Sequence, residues 1–249
     1  MHRAPWESKG RHPLAEDTWE LYNVAVDFSA ATNLAASNPA KLKELQDLFM
    51  VEAAKYRALP LDDRFIERTN AALVGRPDLM GGRTSLTVYD GMIGMTENVF
   101  INAKNRSHTV TADVTIPKGG ANGVILAQGG RFGGWSLYLK DGVPTYLYNF
   151  LGTNMFKVAA NSALPEGKAT IRFEFTYDGG GLGKGGVGAL FVNGQKVGEG
   201  RIDRTQCCIF SADEGADVGV DGETAVSTEY PQRNNKFTGV IHKVTVDLK

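Results

Sequence analysis

Five side chains between residues 131 and 148 are of the types that bind ligands. Trp135 and Tyr138 precede an Asp-Gly pair, and Tyr146 and Tyr148 follow it. Asp-Gly favours a tight hairpin turn, so the two segments should pair as antiparallel strands, with Tyr138 on the face opposite Trp135. We therefore expect some of these rings to be exposed, where they would stack on sugars or protein partners, while Arg131 adds a charged contact. Burial of the rings in a core is the alternative, and it is the commoner use of large aromatic residues.

Other reactive residue types form no recognisable catalytic or metal-binding pattern. Cys207 and Cys208 are adjacent, and adjacent cysteines rarely bridge, so a disulfide scaffold and a zinc site are both excluded. The four histidines lack metal-ligand spacing, and we expect His108 and His242 on the apolar faces of strands. The acidic stretch at 213–221 has oxygen donors for calcium, but its irregular spacing favours a solvated loop, so no metal site is predicted.

A glycine-rich stretch, Gly179–Gly186, contains a Gly-Lys pair. A phosphate-binding loop needs Ser or Thr after the lysine and a helix beyond it. Gly185 follows Lys184 instead, and no helical pattern follows. We therefore interpret this stretch as a loop between strands.

The elements that would position these residues differ between the two ends of the chain. Two glycines precede residue 77, whereas 28 lie between Gly81 and Lys249. Near the start, Asn38-Pro39 favours a helix N-terminus, and Leu42, Leu45, Leu48 and Phe49 recur at three- and four-residue steps. The sequence predicts a packing helix over about residues 39–57, which Pro60 ends.

From residue 81 onward the pattern is that of short antiparallel strands. Apolar residues alternate with polar ones over 108–116, 171–177 and 240–248. Asp141-Gly142 and Asn193-Gly194 are the dipeptides typical of tight hairpin turns. We predict roughly ten to thirteen strands, at the spacing of a β-sandwich or barrel. The fold class is α+β, with domains at 1–80 and 81–249.

Three short motifs near the start resemble a pattern at the C-terminal end of sulfatases. There it reads W-x-L-Y-D, then an acidic turn, then N-L-A before a helix; here it reads Trp19-Glu20-Leu21-Tyr22-Asn23, Asp27-Phe28-Ser29 and Asn33-Leu34-Ala35. The usual Asp after Tyr is replaced by Asn23, and the acidic turn has Asp-Phe where sulfatases have Asp-Pro.

Further segments look like the long bacterial arylsulfatase subfamily: His2–Glu7, Leu59–Arg64, and the glycine-rich stretches 128–138 and 177–186. The resemblance implies a small sulfatase C-terminal subdomain followed by an appended jelly-roll β-sandwich. The run from Gly134 to Leu139 also resembles concanavalin-like and laminin-G-like sandwiches, whose members often bind glycans.

The resemblance implies a parent enzyme that hydrolyses sulfate esters with a formylglycine nucleophile and a divalent metal. Formylglycine arises from Cys or Ser in C/S-x-P/A-x-R. Cys207 lacks the Pro and the Arg, and the closest serine match, at Ser37, ends in Lys41. We therefore expect a non-catalytic fragment without cofactors, which serves packing, pocket completion or oligomerisation. In the parent enzyme, His2, Arg3 and Trp6 would line the rim of the pocket.

The sequence also limits which classes of binding partner and which cellular location we expect for the protein. With 27 basic and 28 acidic residues, the net charge of −1 predicts no nucleic-acid partner. No apolar run approaches the roughly 20 residues of a membrane span, and residues 1–7 lack the apolar segment of a secretory signal, so we expect a cytoplasmic protein. The expected partners are a sulfatase catalytic domain or a second copy, through the Leu42–Phe49 stripe, or else a glycan. The alternative function is a carbohydrate-binding β-sandwich module.

Overall fold

The computed structural model describes residues 14–61 and 79–249. The chain divides into two compact units, Met1–Arg76 and Pro77–Lys249. No helix in the described ranges is long and apolar enough to cross a membrane.

Within residues 14–61, the first unit contains the α-helix α1 (Pro39–Lys55), which follows a 3-10 turn at Leu14–Glu16. The helix begins at Pro39, as the sequence predicts, because proline needs no backbone hydrogen bond there. Trp19 packs edge-on against Phe49, with 5.5 Å between ring centroids. Within residues 14–61 only Ala53 is a fully buried apolar residue, so this part of the chain has little core of its own.

The second unit is an antiparallel β-sandwich, and its two sheets account for every strand in the described ranges. The strands are β1 (Ser85–Val88), β2 (His108–Ile116), β3 (Gly123–Gly130), β4 (Gly133–Lys140), β5 (Val143–Phe150), β6 (Asn154–Ala159), β7 (Gly167–Tyr177), β8 (Lys184–Val192), β9 (Gln195–Arg204), β10 (Ala216–Val218) and β11 (Val240–Leu248). A six-stranded sheet has the order β1-β11-β2-β7-β8-β9, and a five-stranded sheet has the order β10-β3-β4-β5-β6.

Both predicted hairpins are present and have the expected turn geometry. Asp141 and Gly142 join β4 to β5 with φ of 51° and 77°, and Asn193 and Gly194 join β8 to β9 with φ of 50° and 83°. Positive φ at both central residues defines the turn whose twist matches that of paired strands. The turn therefore accounts for the register of β4 with β5 along its whole length, whereas the register of β8 with β9 shifts between Leu190 and Phe191, close to the turn.

The predicted alternation of buried apolar and outward-facing polar side chains is confirmed in β2 and β7, but it is wrong at the start of β11. A β-bulge between Ile241 and Lys243 adds a residue to β11, so the side chains before it change faces. Ile241 is consequently buried, whereas Val240 and His242 are exposed. The prediction that His242 lies on an apolar face is therefore wrong, while the same prediction for His108 is confirmed by its burial.

Two separate cores stabilise the sandwich. The main core lies between the sheets and includes Trp135, Tyr146 and Phe173, with the rings of Tyr146 and Phe173 stacked 3.5 Å apart. A smaller core lies on the other face of the five-stranded sheet, where Val226 and Tyr230 pack against residues including Tyr138. Residues 219–235, named the covering segment here, therefore cover an outer face that a two-layer sandwich would leave to solvent.

Candidate functional site

The predicted aromatic ligand contacts on the inner face are buried instead. Trp135 and Tyr146 face the main core, and the indole Nε1 of Trp135 donates to Oε1 of Gln128 at 3.0 Å. Tyr148 is also buried; its hydroxyl accepts the backbone N–H of Gln206 at 2.8 Å, and burial raises the pKa of Tyr148. These rings make the contacts that hold the sheets together, so the prediction that they bind a ligand is corrected to a core role.

Tyr138 is buried for a different reason. It points away from Trp135, as alternation predicts, but the covering segment closes over it. Its hydroxyl donates to Oε2 of Glu229 at 2.6 Å, and its ring packs edge-on against Tyr230. The prediction that this face exposes aromatic rings is therefore wrong, because a segment about ninety residues away in sequence covers it.

Arg131 lies instead in a cleft that the sequence did not reveal. The cleft has a volume of about 340 Å³ and is lined by three parts of the sandwich. These are Arg131 and Phe132 in the β3–β4 turn, Asn149, Leu151, Gly152 and Met155 around the β5–β6 turn, and residues 225–228, 230 and 232 of the covering segment.

One buried amide, Asn149, joins the three walls of the cleft. Its Nδ2 shares two hydrogens among the carbonyl oxygens of Gly130 at 3.3 Å, Arg131 at 3.0 Å and Val226 at 2.9 Å. Its Oδ1 accepts the backbone N–H of Gly152 at 2.8 Å. The sequence patterns did not point to Asn149. The one indication available was a side-chain amide in a largely apolar strand.

Two carboxylates of the acidic stretch at 213–221, those of Asp217 and Asp221, accept hydrogen bonds from backbone N–H groups of neighbouring segments. Oδ2 of Asp221 accepts the N–H of Val226 at 2.8 Å and the hydroxyl of Tyr230 at 2.5 Å. Burial raises the pKa of Asp221 to about 6. Asp217 accepts the N–H groups of Gly94 at 2.6 Å and Gly222 at 2.9 Å. The expectation of a solvated acidic loop is therefore wrong for Asp221, which anchors the covering segment.

Potential metal ligands do not converge in the part of the chain that the structure describes. No group of three or more His, Cys, Asp or Glu side chains there is arranged to hold a metal ion. His108 is buried, which lowers its pKa to about 4, and its Nδ1 lies 3.3 Å from the carbonyl oxygen of Arg106. It is a neutral core histidine at neutral pH.

The cleft combines exposed apolar surface with one positive charge. Phe132 is 73% exposed, and Leu151 and Met155 are also largely exposed. The guanidinium of Arg131 forms no ion pair with a carboxylate in residues 14–61 or 79–249. Among the described lining residues, Arg131 carries the only formal charge. The arrangement can place an apolar ring face and an anionic group of a ligand side by side.

A second groove lies on the outer face of the six-stranded sheet. It has a volume of about 370 Å³ and its lining includes Asp113, Lys168, Thr170 and His242. Several of its polar groups already have partners: Thr170 donates to Asp113 at 2.8 Å, and the Nε2 of His242 lies 2.8 Å from the hydroxyl of Thr115. Its described lining residues include no Phe, Tyr or Trp side chain on which a sugar ring could stack, so it suits a sugar less well than the cleft does.

The adjacent cysteines form a disulfide, contrary to the expectation that such neighbours do not bridge. The pair lies in the loop between β9 and β10, and this loop is hydrogen-bonded at Thr205 and at Phe210, on either side of the pair. Both cysteines are half-buried. The sequence argument used the rarity of such pairs, which is a frequency and does not exclude an individual case.

The predicted pocket-rim residues His2, Arg3 and Trp6 lie outside the described residues. Of the Leu42–Phe49 stripe, Leu45 and Leu48 are exposed, while Leu42 and Phe49 are half-buried. The structure therefore brings one predicted site residue, Arg131, into a cleft and places the others in cores or outside the described ranges.

Comparisons with known proteins give similarity to β-sandwich structures. No family model matches the chain, and no curated protein matches it. The CBM40 of the Ruminococcus gnavus IT-sialidase bound to α2,3-sialyllactose is 13% identical, with a TM-score of 0.44, over 66% of this chain and 89% of that one. Domains LG4-5 of the mouse laminin α1 chain are 14% identical, with a TM-score of 0.40, over 67% of this chain and 39% of that one. None of these findings supports a sulfatase origin.

Proposed function

We propose that the second unit is a non-catalytic binding module and that a carbohydrate occupies the cleft beside Arg131. The observation that carries this proposal is that a cleft of about 340 Å³ is lined both by a phenyl ring, 73% exposed at Phe132, and by the guanidinium of Arg131, which forms no ion pair within the described residues. Clefts of roughly 300 Å³ and more accommodate small ligands. Exposed aromatic rings of this kind stack against the apolar faces of sugar rings.

The polar groups around the cleft suit a sugar that carries an acidic substituent. Thr228 and Gln232 are exposed on the covering segment and offer hydroxyl and amide groups to sugar hydroxyls. Arg131 offers a planar fork that matches a carboxylate or a sulfate. Among the described lining residues there is no carboxylate and no imidazole, which are the groups that cleave glycosidic bonds. The geometry thus supports binding over hydrolysis.

A glycan array that includes acidic and neutral sugars tests the proposal. The variants Arg131→Ala and Phe132→Ala should each weaken the strongest signal by about tenfold, equivalent to about 1.4 kcal/mol. Tyr89→Ala is the matched control, because Tyr89 is an exposed aromatic residue of the same unit that does not line the cleft. Wild-type protein that binds no glycan, or losses that Tyr89→Ala reproduces, would refute the proposal.

We propose second that the first unit docks onto another polypeptide, either a sulfatase catalytic domain or a second copy of this chain. The supporting observation is the exposed apolar surface of helix α1, where Leu45 is 38% and Leu48 52% exposed. On this proposal the chain is a non-catalytic C-terminal fragment of an arylsulfatase, as the Trp19–Asn23 motif implies. Sedimentation velocity over a range of concentrations tests self-association, which should raise the sedimentation coefficient as the concentration rises.

A further inference from the structure

The disulfide between Cys207 and Cys208 does little as a structural cross-link. A disulfide stabilises a fold mainly by closing a long loop of the unfolded chain, and the effect grows with the length of that loop. These two residues are neighbours, with Cα atoms 3.8 Å apart, so the bond closes no loop. Both side chains are half-buried, and hence partly open to solvent. The presence of the bond therefore calls for a role other than stabilisation.

The loop that carries the pair, Thr205–Phe210, is anchored at both of its ends. Before the cysteines, the hydroxyl of Thr205 donates to the carbonyl oxygen of Lys184 at 2.7 Å. After them, the backbone N–H of Phe210 donates to a carboxylate oxygen of Glu97. Between these anchors the backbone N–H of Gln206 donates to the hydroxyl of Tyr148 at 2.8 Å, and Nδ2 of Asn105 donates to the carbonyl oxygen of Cys207 at 2.6 Å. The disulfide adds a covalent constraint across residues 207 and 208.

Gln206 connects this loop to the cleft. It directly precedes Cys207, and its side-chain amide packs against Gly133, where a Cβ atom would lie only 2.2 Å from Oε1 of Gln206. That Oε1 is buried without a hydrogen-bond partner among the described residues, while Nε2 of the same amide donates to the carbonyl oxygen of Ile209 at 3.0 Å, so the amide is tied to the backbone on the far side of the cysteine pair. Gly133 directly follows Phe132. A shift of the backbone at Cys207 is thereby passed to the turn that carries Arg131 and Phe132.

We propose that Cys207–Cys208 is a reversible redox site whose state controls how firmly the β3–β4 turn is held. An external dithiol supplies the electrons. Its thiolate attacks one Sγ and breaks the S–S bond to form a mixed disulfide, and its second thiol then displaces the cysteine. The dithiol is oxidised to a disulfide, while Cys207 and Cys208 gain two electrons and two protons and become thiols. Reduction removes the covalent constraint across residues 207 and 208, so Ile209, whose carbonyl oxygen holds the side-chain amide of Gln206, is positioned less firmly, and Gln206 supports Gly133 less firmly in turn.

The consequence for ligand affinity rests on the proposed function of the cleft. A looser turn holds Arg131 and Phe132 in less defined positions, so part of the binding free energy is used to order them. We expect the reduced protein to bind its strongest glycan at least about fivefold more weakly than the oxidised protein, the lower end of typical coupling between sites. The cleft is thus a site that binds tightly when the cysteines are oxidised.

The experiment compares the full chain without reductant and in dithiothreitol. Thiol titration and intact mass should show no thiol in the first state, and two thiols with a gain of about two hydrogens in the second. Hydrogen exchange of the amides at 129–134 should be faster after reduction. Exchange is measured without a ligand, so it tests the redox inference independently of the proposed function. Identical exchange in both states, or thiols already present without reductant, would overturn the inference.

Two variants make the comparison specific. In Gln206→Ala the cysteines still change state, but exchange at 129–134 should no longer depend on dithiothreitol, because the contact with Gly133 is gone. The double variant Cys207→Ser/Cys208→Ser should resemble the reduced protein in both buffers; if it does not fold, the dithiothreitol comparison of the wild type decides alone. If exchange changes with redox state but no glycan binds in either state, the redox inference stands and the proposed function fails.

Discussion

At the scale of single residues, Asn149 makes the clearest structural contribution to the cleft. Its one amide satisfies backbone groups in the β3–β4 turn, the β5–β6 turn and the covering segment. Each of these groups would be costly to leave unpaired in a buried position. The shape of the cleft therefore depends on a side chain that need not touch a ligand.

We predict that Asn149→Ala lowers the free energy of unfolding by about 3 kcal/mol, since several buried backbone groups lose their partners. Asn154→Ala is the matched control, because Asn154 is exposed at the start of β6, and it should change stability by less than about 0.5 kcal/mol. Chemical denaturation of both variants gives the two values. Equal stabilities would show that Asn149 does not hold the walls of the cleft.

Asp221 predicts a pH dependence of stability with a definite sign. Burial raises its pKa to about 6 in the folded protein, above an unfolded value of about 3.9. The folded state therefore binds the proton more tightly, and this group's contribution falls as pH rises from about 4 to about 6. Asp221→Asn cannot ionise, so it should gain stability relative to wild type across that window, on the order of 3 kcal/mol above pH 7.

The comparison must be made against wild type at each pH, because His108 acts in the opposite direction. Burial lowers the pKa of His108 to about 4, so its contribution to stability is lost as pH falls below about 6.5. Wild type and Asp221→Asn are therefore denatured side by side between pH 4 and pH 8. The difference between their free energies of unfolding at each pH does not contain the contribution of His108, because both proteins carry that residue. A stability difference that stays constant with pH would contradict the assignment to Asp221.

Individual residue roles were predictable only where they depend on neighbours in sequence. Alternation correctly places Trp135 and Tyr138 on opposite faces. The exposure of Tyr138 was not predictable, because it depends on Val226 and Tyr230, which return to the sheet much later in the chain. Arg131 was identified as a ligand contact from its loop, but the neighbours it has in the cleft follow from the tertiary fold.

At the scale of elements, the two hairpin turns allow a matched test. Gly142 and Gly194 occupy equivalent positions in turns of the same type, with φ of 77° and 83°. A Cβ atom at Gly194 would meet open space, whereas one at Gly142 would lie 3.0 Å from the Cβ of Ala163. The two positions therefore share backbone strain and differ only in crowding.

We predict that Gly194→Ala lowers the free energy of unfolding by about 1 kcal/mol through the positive φ alone. Gly142→Ala should cost about 1 kcal/mol more, because Ala163 must also move aside. Urea denaturation of both variants measures the difference. If Gly194→Ala proves the more destabilising of the two, crowding at Ala163 is not a significant factor.

The sandwich itself was predictable from such local signals, but its details were not. Period-two alternation and Asp-Gly or Asn-Gly turns identify antiparallel strands because both depend on adjacent residues. The bulge at Ile241–Lys243 and the pairing of β11 with β2 depend on contacts more than a hundred residues apart. The same holds for the covering segment, whose anchors join β5 and the β3–β4 turn to residues after 219.

At the scale of the whole molecule, the two units differ in how far they can stand alone. All residues of the main core belong to Pro77–Lys249, and every described residue that lines the cleft lies there as well. We predict that a fragment of residues 77–249 unfolds cooperatively in urea and gives the same glycan-array signals as the full chain. Loss of those signals with the fold intact would show that the cleft needs the first unit.

The first unit should instead make the full chain associate. Ala53 is its one fully buried apolar residue within residues 14–61, while Leu45 and Leu48 stay exposed on α1. Burial of such an apolar helix face against a second surface is favourable, by about 1.5 to 3 kcal/mol for each leucine fully buried.

We expect the sedimentation coefficient of the full chain to rise with concentration. The fragment of residues 77–249 and the variant Leu45→Ser/Leu48→Ser should remain monomeric. Association that persists in both would place the contact on the sandwich, and a monomeric full chain would leave a separate polypeptide as the partner of the helix.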